Sequence, residues 1–192
     1  MESRIDAKKA KEFWSSSKSY PLIWEPEEQA GKELYIRERL DVIKLTEPRG
    51  KTVLDLGTGK GRFAIAFASV GAKWVTGLDL SQEMLNIAME RAKAAQQKNI
   101  RFELGDAEDL KHQDESFDIV CCMQTFEFLP HPKKALREFT RVCRQGGLLV
   151  VSTTNSECQS LLTRIKSLIE RFAVIYKIVS PFTFPELCTH LD

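Results

Sequence analysis

The fold follows from one segment, Val53-Leu54-Asp55-Leu56-Gly57-Thr58-Gly59-Lys60-Gly61-Arg62-Phe63. A short apolar run ends in three glycines at alternate positions and gives way to Phe63, Phe67 and Val70 at helical spacing. A buried strand therefore feeds through a tight loop into a helix. Backbone without side chains lets a ligand approach closely there, and the amides at the helix N-terminus favour an anionic group such as a carboxylate. The dinucleotide fingerprint G-x-G-x-x-G would need its third glycine at position 62, which is Arg62. That mismatch weakens a nicotinamide-dependent oxidoreductase as the reading of this loop. A glycine-rich connection with no ligand is the other alternative.

Outward from this stretch, β-branched apolar runs at residues 52–56, 74–78, 100–103, 117–122 and 148–152 alternate with segments of helical period. That alternation predicts βαβ units and a doubly wound, mostly parallel α/β sheet. Leu85, Ala88, Ala92 and Ala95 mark one helix, with Ser81 as its N-cap, and Pro132 suits the first turn of a helix covering residues 135–142. Residues 27–45 read as a long amphipathic helix before the first strand. Residues 159–178 read as another, followed by a short capped helix from Thr183.

Two further acids follow strands. The second strand runs into Leu78-Asp79-Leu80-Ser81 and the third into Gly105-Asp106-Ala107-Glu108-Asp109. In doubly wound sheets ligands sit outside the carboxyl ends of the strands, where an acid can accept hydrogen bonds from ribose hydroxyls. Asp79 could instead assist the N-terminus of the helix that starts beside it. Three acids near strand ends, Asp55, Asp79 and Asp106, argue for a site.

The 192 residues carry 28 Lys+Arg against 27 Asp+Glu, a net charge of +1, with 43% hydrophobic and 29% charged residues. These values predict one globular domain and exclude a disordered chain, while 10 Gly and 7 Pro exclude a collagen-like one. The near-neutral balance argues against a dedicated binder of duplex nucleic acid, and no nucleic-acid partner is expected. The N-terminus is charged and lacks the apolar core of a secretion signal, and no stretch has the length of a membrane span, so a cytoplasmic protein without membrane contact is expected. Cys121, Cys122, Cys143, Cys158 and Cys188 are odd in number and show no C-x-x-C spacing. Buried free thiols are expected rather than disulfides or a metal site.

Taken in order, VLDLGTGKGRFA, GLDLSQEML, GDAEDL and SFDIVCCMQTFEFLPHPKKALREFTRVCRQGGLLVVST resemble the class I S-adenosylmethionine-dependent methyltransferases, in the small-molecule branch called the type 11 methyltransferase domain. The resemblance spans residues 52–153 and implies a Rossmann-like fold with S-adenosyl-L-methionine as cofactor. It implies that Gly57, Thr58, Gly59 and Gly61 shape the loop around the methionine moiety, and that Asp55 braces this loop or meets the ligand's amino group. Asp79 would hold the ribose, Leu80 and Met84 would face the adenine, and Asp106 with Ala107 would address the adenine's amino group and ring edge. Gln124, with Thr125, stands at the tip of the fourth strand and is placed with the cofactor set, although either could simply satisfy backbone at the turn.

The resemblance also bears on the acceptor. Family members acting on nucleobase amino groups often carry an [Asn/Asp]-Pro-Pro-[Tyr/Phe] motif after the fourth strand, and this chain reads Met123-Gln124-Thr125-Phe126 there. Nucleic-acid amino groups are therefore disfavoured as acceptors, and the branch that the chain resembles implies a small-molecule acceptor. His131, in Leu129-Pro130-His131-Pro132, is the candidate catalytic base, with a solvated loop histidine as the alternative. His112 and His190 carry less signal. The implied organisation is a single domain over residues 1–192: an N-terminal helical lid at 1–50, a cofactor-binding core at 51–155 and C-terminal helices at 156–192. Phe13, Trp14, Tyr20 and Trp24 would cover the cofactor or, alternatively, pack the leading helices on the sheet. Family members continue into a sixth and seventh strand, which this chain is expected to lack. A five-stranded sheet would leave an open edge for a second copy to form a homodimer. A module that binds the cofactor without turnover is the remaining rival.

Overall fold

Every position of β1 (Thr52–Leu56) after Thr52 is buried, because the strand runs through the middle of the sheet with helices on both faces. The computed structural model describes residues 7–16, 31–152 and 173–177. Around β1 lie β2 (Trp74–Asp79), β3 (Ile100–Leu104), β4 (Phe117–Cys122), β5 (Cys143–Ser152) and β6 (Ala173–Lys177). The six strands form one sheet in the order β3-β2-β1-β4-β5-β6, with every neighbouring pair parallel. The described helices are α1 (Ala7–Ser16), α2 (Gly31–Thr46), α3 (Arg62–Ser69), α4 (Gln82–Ala94) and α5 (Pro132–Val142).

Strand alternation divides the core into two layers. Val53, Val75, Ile119 and Cys121 pack with Val42 of α2 and with Phe63 and Phe67 of α3. Leu54, Leu56, Val120 and Cys122 face the opposite way, onto Phe126 and onto Leu136 and Phe139 of α5. Each such Leu or Phe contributes roughly 1.5–3 kcal/mol when fully buried. Asp55 shares the side of Val53, which directs its carboxyl under α3. The consecutive Cys121 and Cys122 point to opposite layers; with Cys143 they are buried free thiols, as the sequence predicted. Burial pushes the Cys143 thiol up to about 12 and the other two well above their ordinary range.

Strands β1 and β4 have the predicted limits, and β2 extends to take in Asp79. The Ser81 hydroxyl caps α4 by accepting from the Met84 amide at 3.4 Å, while Ala95 is its exposed C-cap rather than part of the buried stripe. Helix α5 begins at Pro132. Strand β5 starts at Cys143, before the predicted position 148, because Phe117 pairs with Cys143 ahead of a register shift to Ile119 and Leu148. Arg144 secures this start by donating to the Asp118 carboxylate at 2.6 Å and the Glu115 carbonyl at 3.0 Å.

The largest correction concerns Ala173–Lys177. These residues form β6, paired in parallel with Leu148–Ser152, instead of ending a helix. The run Val174-Ile175-Tyr176 is β-branched and aromatic, and those residues suit a pleated surface. The sheet therefore has a sixth strand, and the edge of β5 that was expected to be open is covered. The expected helix over residues 159–172, the one from Thr183, and Tyr20, Trp24, Cys158, Cys188 and His190 lie outside the described residues. Among the described residues, no helix is long and apolar enough to cross a membrane, and no cluster of His, Cys, Asp and Glu could hold a metal ion.

Candidate functional site

The strand order reverses direction at β1, which has β2 on one side and β4 on the other. A crevice opens outside the carboxyl ends of strands at such a point. The glycine loop leaves β1 there. Gly57 adopts φ +65°, and a Cβ at this position would overlap the side chain of Thr125, which follows β4. The Thr58 amide donates to the Leu78 carbonyl at 3.0 Å, and the Gly61 amide to the Thr58 carbonyl at 2.9 Å. The loop is thus fastened to β2 and closed on itself.

Two carboxylates hold this loop. Asp55 accepts from the Thr58 hydroxyl at 2.7 Å and from the Ala64 amide in the first turn of α3 at 3.0 Å. Burial pushes Asp55 up to about 7, although these two hydrogen bonds and the Arg62 charge oppose the rise. Asp79 accepts from the Gly59 amide at 2.8 Å through Oδ2 and from the Ser81 amide at 2.9 Å through Oδ1. Burial also raises Asp79 above the ordinary carboxylate value, against the pull of the surrounding amides.

In front of the loop lies an open cleft of about 670 Å³, a volume that includes space continuous with solvent. Gly57, Asp79, Leu80, Met84, Asp106 and Ala107, all expected from the sequence, line it together. Asp55, Thr58, Gly59 and Gly61 stand outside the lining; Asp55, Thr58 and Gly59 join the bonds that frame the loop. Gln124 also lies outside the lining: its amide nitrogen donates to Glu38 at 3.0 Å and its oxygen accepts from Arg62 at 3.4 Å. Its neighbour Thr125 lines the cleft in its place.

His131 occupies the N-cap position of α5 with its ring mostly exposed, and is not part of the lining, whereas Leu129 and Pro130 are. Its ring Nδ1 is 3.0 Å from Glu108 Oε2, and its backbone amide donates to Glu108 Oε1 at 2.6 Å. Of the N-terminal aromatics, Trp14 lines the cleft with its ring centroid 4.7 Å from that of Phe128, while Phe13 is exposed beside it.

Lys11 and Glu108 were missed. Lys11 lines the cleft and places Nζ 2.6 Å from Asp106 Oδ2 and 3.0 Å from Glu108 Oε2. Glu108 is fully buried. Burial alone would raise its pKa, but the hydrogen bonds from His131 and Lys11 bring it below the ordinary value. The one sequence signal for it was an acid two positions beyond Asp106; nothing near Lys11 in the chain announces its partners.

Residues 47–179 match the profile of a family described as "Methyltransferase domain". A ubiquinone biosynthesis O-methyltransferase of Coxiella burnetii is 36% identical over 117 residues, covering 61% of this chain and 49% of the relative. The crystal structure of the YcgJ protein of Bacillus subtilis superposes with a TM-score of 0.56 at 35% identity, covering 58% of this chain and 48% of that one. An S-adenosylmethionine-dependent methyltransferase structure from Aquifex aeolicus gives a TM-score of 0.55 at 25% identity, covering 73% of this chain and 69% of the other. The chain spans about half the length of the curated relatives it matches.

Proposed function

This chain belongs to the methyltransferase domain family, and on that premise we propose that its cleft binds S-adenosyl-L-methionine and serves methyl transfer to a small-molecule acceptor. The observation that carries this reading is one pair of carboxylates. Asp79 and Asp106, at the ends of the adjacent strands β2 and β3, face a single cleft with apolar Leu80, Met84 and Ala107 beside them. The donor set fits the cofactor: a carboxylate for ribose hydroxyls, a second for an adenine amino group, and apolar side chains for the ring faces. In this reading Gly57, Thr58, Gly59 and Gly61 give the methionine end its shape, and Asp55 braces them from behind through Thr58 and Ala64.

When bound, the cofactor supplies a methyl group activated on a sulfonium, with its own leaving group. The protein's residues then have to orient the acceptor and exclude water, and alignment of that kind can contribute on the order of 7–11 kcal/mol. Trp14, Phe128 and Leu129 supply the apolar wall for that purpose. His131 is the proposed proton acceptor at the rim, with Glu108 holding Nδ1 and thereby selecting Nε2 as the basic nitrogen. Gln124 would act through Arg62 and Glu38, which it bonds, rather than by touching the cofactor.

The similarity to an enzyme named for O-methylation in ubiquinone biosynthesis supports a small-molecule acceptor, as does a net charge of +1, which gives no electrostatic basis for nucleic-acid binding. The protein is read as cytoplasmic and as one domain, with residues 1–50 as its lid. The test is release of S-adenosylhomocysteine, followed by mass spectrometry, across a panel of hydroxyl- and amine-bearing small molecules. Product release with one acceptor class supports methyl transfer. Cofactor binding without release on any acceptor would favour the non-catalytic module.

A further inference from the structure

Helix α1 reaches the cleft through one face. Lys11 and Trp14, one turn apart, both line it, whereas Lys8, Lys9, Glu12 and Ser15 are exposed. Trp14 meets Phe128, and Lys11 meets Asp106 and Glu108 in the loop after β3. Glu108 is the centre of this contact. A fully buried carboxylate is costly unless donors surround it. Here Oε1 takes the His131 amide, and Oε2 takes both His131 Nδ1 and Lys11 Nζ. One buried side chain thus ties together three segments remote in sequence: the N-terminal helix, the loop after β3, and the loop that starts α5.

We propose that Lys11 and Glu108 are positioning residues for cofactor retention, a clasp that seats α1 over the Asp106 end of the cleft so that Trp14 closes it. The proposal rests on the cofactor reading above. Asp106 is shared between clasp and ligand without conflict. Its Oδ1 accepts from the Glu108 amide at 2.9 Å and its Oδ2 from Lys11 at 2.6 Å. An ionised carboxylate has about four lone-pair sites, so an adenine amino group adds to this arrangement instead of displacing Lys11. The clasp therefore closes over the bound nucleoside and slows its departure.

The test uses the full chain with S-adenosylhomocysteine as the probe. Affinity is read by calorimetry, and release by stopped-flow fluorescence in a background carrying Trp24→Phe and Trp74→Phe, so that Trp14 reports. Lys11→Met should release the probe about five- to tenfold faster, with little change in association rate, and should show a smaller but measurable Trp14 signal on binding. Glu108→Gln should act in the same direction. Lys9→Met, on the exposed face of the same helix, should match the parent. Melting temperatures separate a lost clasp from a lost fold, and Lys11→Met decides where Glu108→Gln melts early. Release from Lys11→Met as slow as from the parent, or slower, overturns the clasp alone. Failure of the parent to bind the probe overturns the cofactor reading and the clasp with it.

Discussion

Gly57 leaves no room for a side chain, since a Cβ would enter the volume of Thr125 and the backbone sits at φ +65°. Gly57→Ala is expected to cost roughly 2–4 kcal/mol by urea denaturation, from overpacking and left-handed strain together. Gly59 has φ +53° but open space where its Cβ would stand. Its alanine variant should show only the strain, roughly 1 kcal/mol. Equal losses at both positions would contradict the packing account. The three alternating glycines were plain in the sequence, but their ranking was not, because the neighbour that distinguishes Gly57 is a threonine 68 residues away. Asp55 gives a pH prediction. Folded, it titrates near 7 against an ordinary 3.8, so the folded chain holds its proton over an interval in which the unfolded chain has lost it. Stability then falls as pH rises from about 4 to 7, and Asp79, raised in the same direction, adds to the fall. The melting temperature of Asp55→Asn should decline less between pH 5 and pH 8 than that of the parent. Parallel curves would mean that Asp55 does not govern the slope.

At the scale of elements, β6 changes what the sheet presents. Its pairing with Leu148–Ser152 covers the edge of β5. Replacing both Val174 and Ile175 by proline removes whichever of the two amides faces β5. Sedimentation velocity should then show larger species than the parent forms, because an unpaired edge templates association. An unchanged profile would show that β6 does not protect that edge. This strand was misread because its consecutive apolar residues end a long segment of helical period, and a five-residue run there carries little periodic signal of its own. Strand β5 was legible only from Leu148 onward, since its first half is Cys143-Arg144-Gln145-Gly146-Gly147 and is held by Arg144 across the fold. The central strands β1 and β4 were readable to the residue because burial on both faces leaves mainly apolar runs, interrupted in each by one aspartate.

For the whole molecule, the strand order places the ends of β1, β2 and β3 around one cleft, and that is why short motifs far apart in the chain describe one site. Gly57, Asp79 and Asp106 were legible because each stands at, or just past, the end of a strand that could be recognised, whereas Leu80, Met84 and Ala107 followed from the family resemblance. Lys11 and Glu108 were not legible, because their roles depend on how α1 docks, and no local pattern encodes a contact between the N-terminal helix and the loop after β3. Gln124 illustrates the opposite error: it follows β4 as expected, but its side chain bonds Glu38 and Arg62 while Thr125 faces the cleft. The cleft is proposed to take S-adenosylmethionine through Asp79 and the glycine loop. The decisive experiment is calorimetric titration of the full chain with S-adenosylhomocysteine and with NADH, beside Asp79→Ala. S-adenosylhomocysteine should bind one-to-one and NADH should not bind, with a loss of roughly 1.5–3 kcal/mol in the variant. Binding of NADH in place of S-adenosylhomocysteine, or equal affinity in Asp79→Ala, would contradict this proposal.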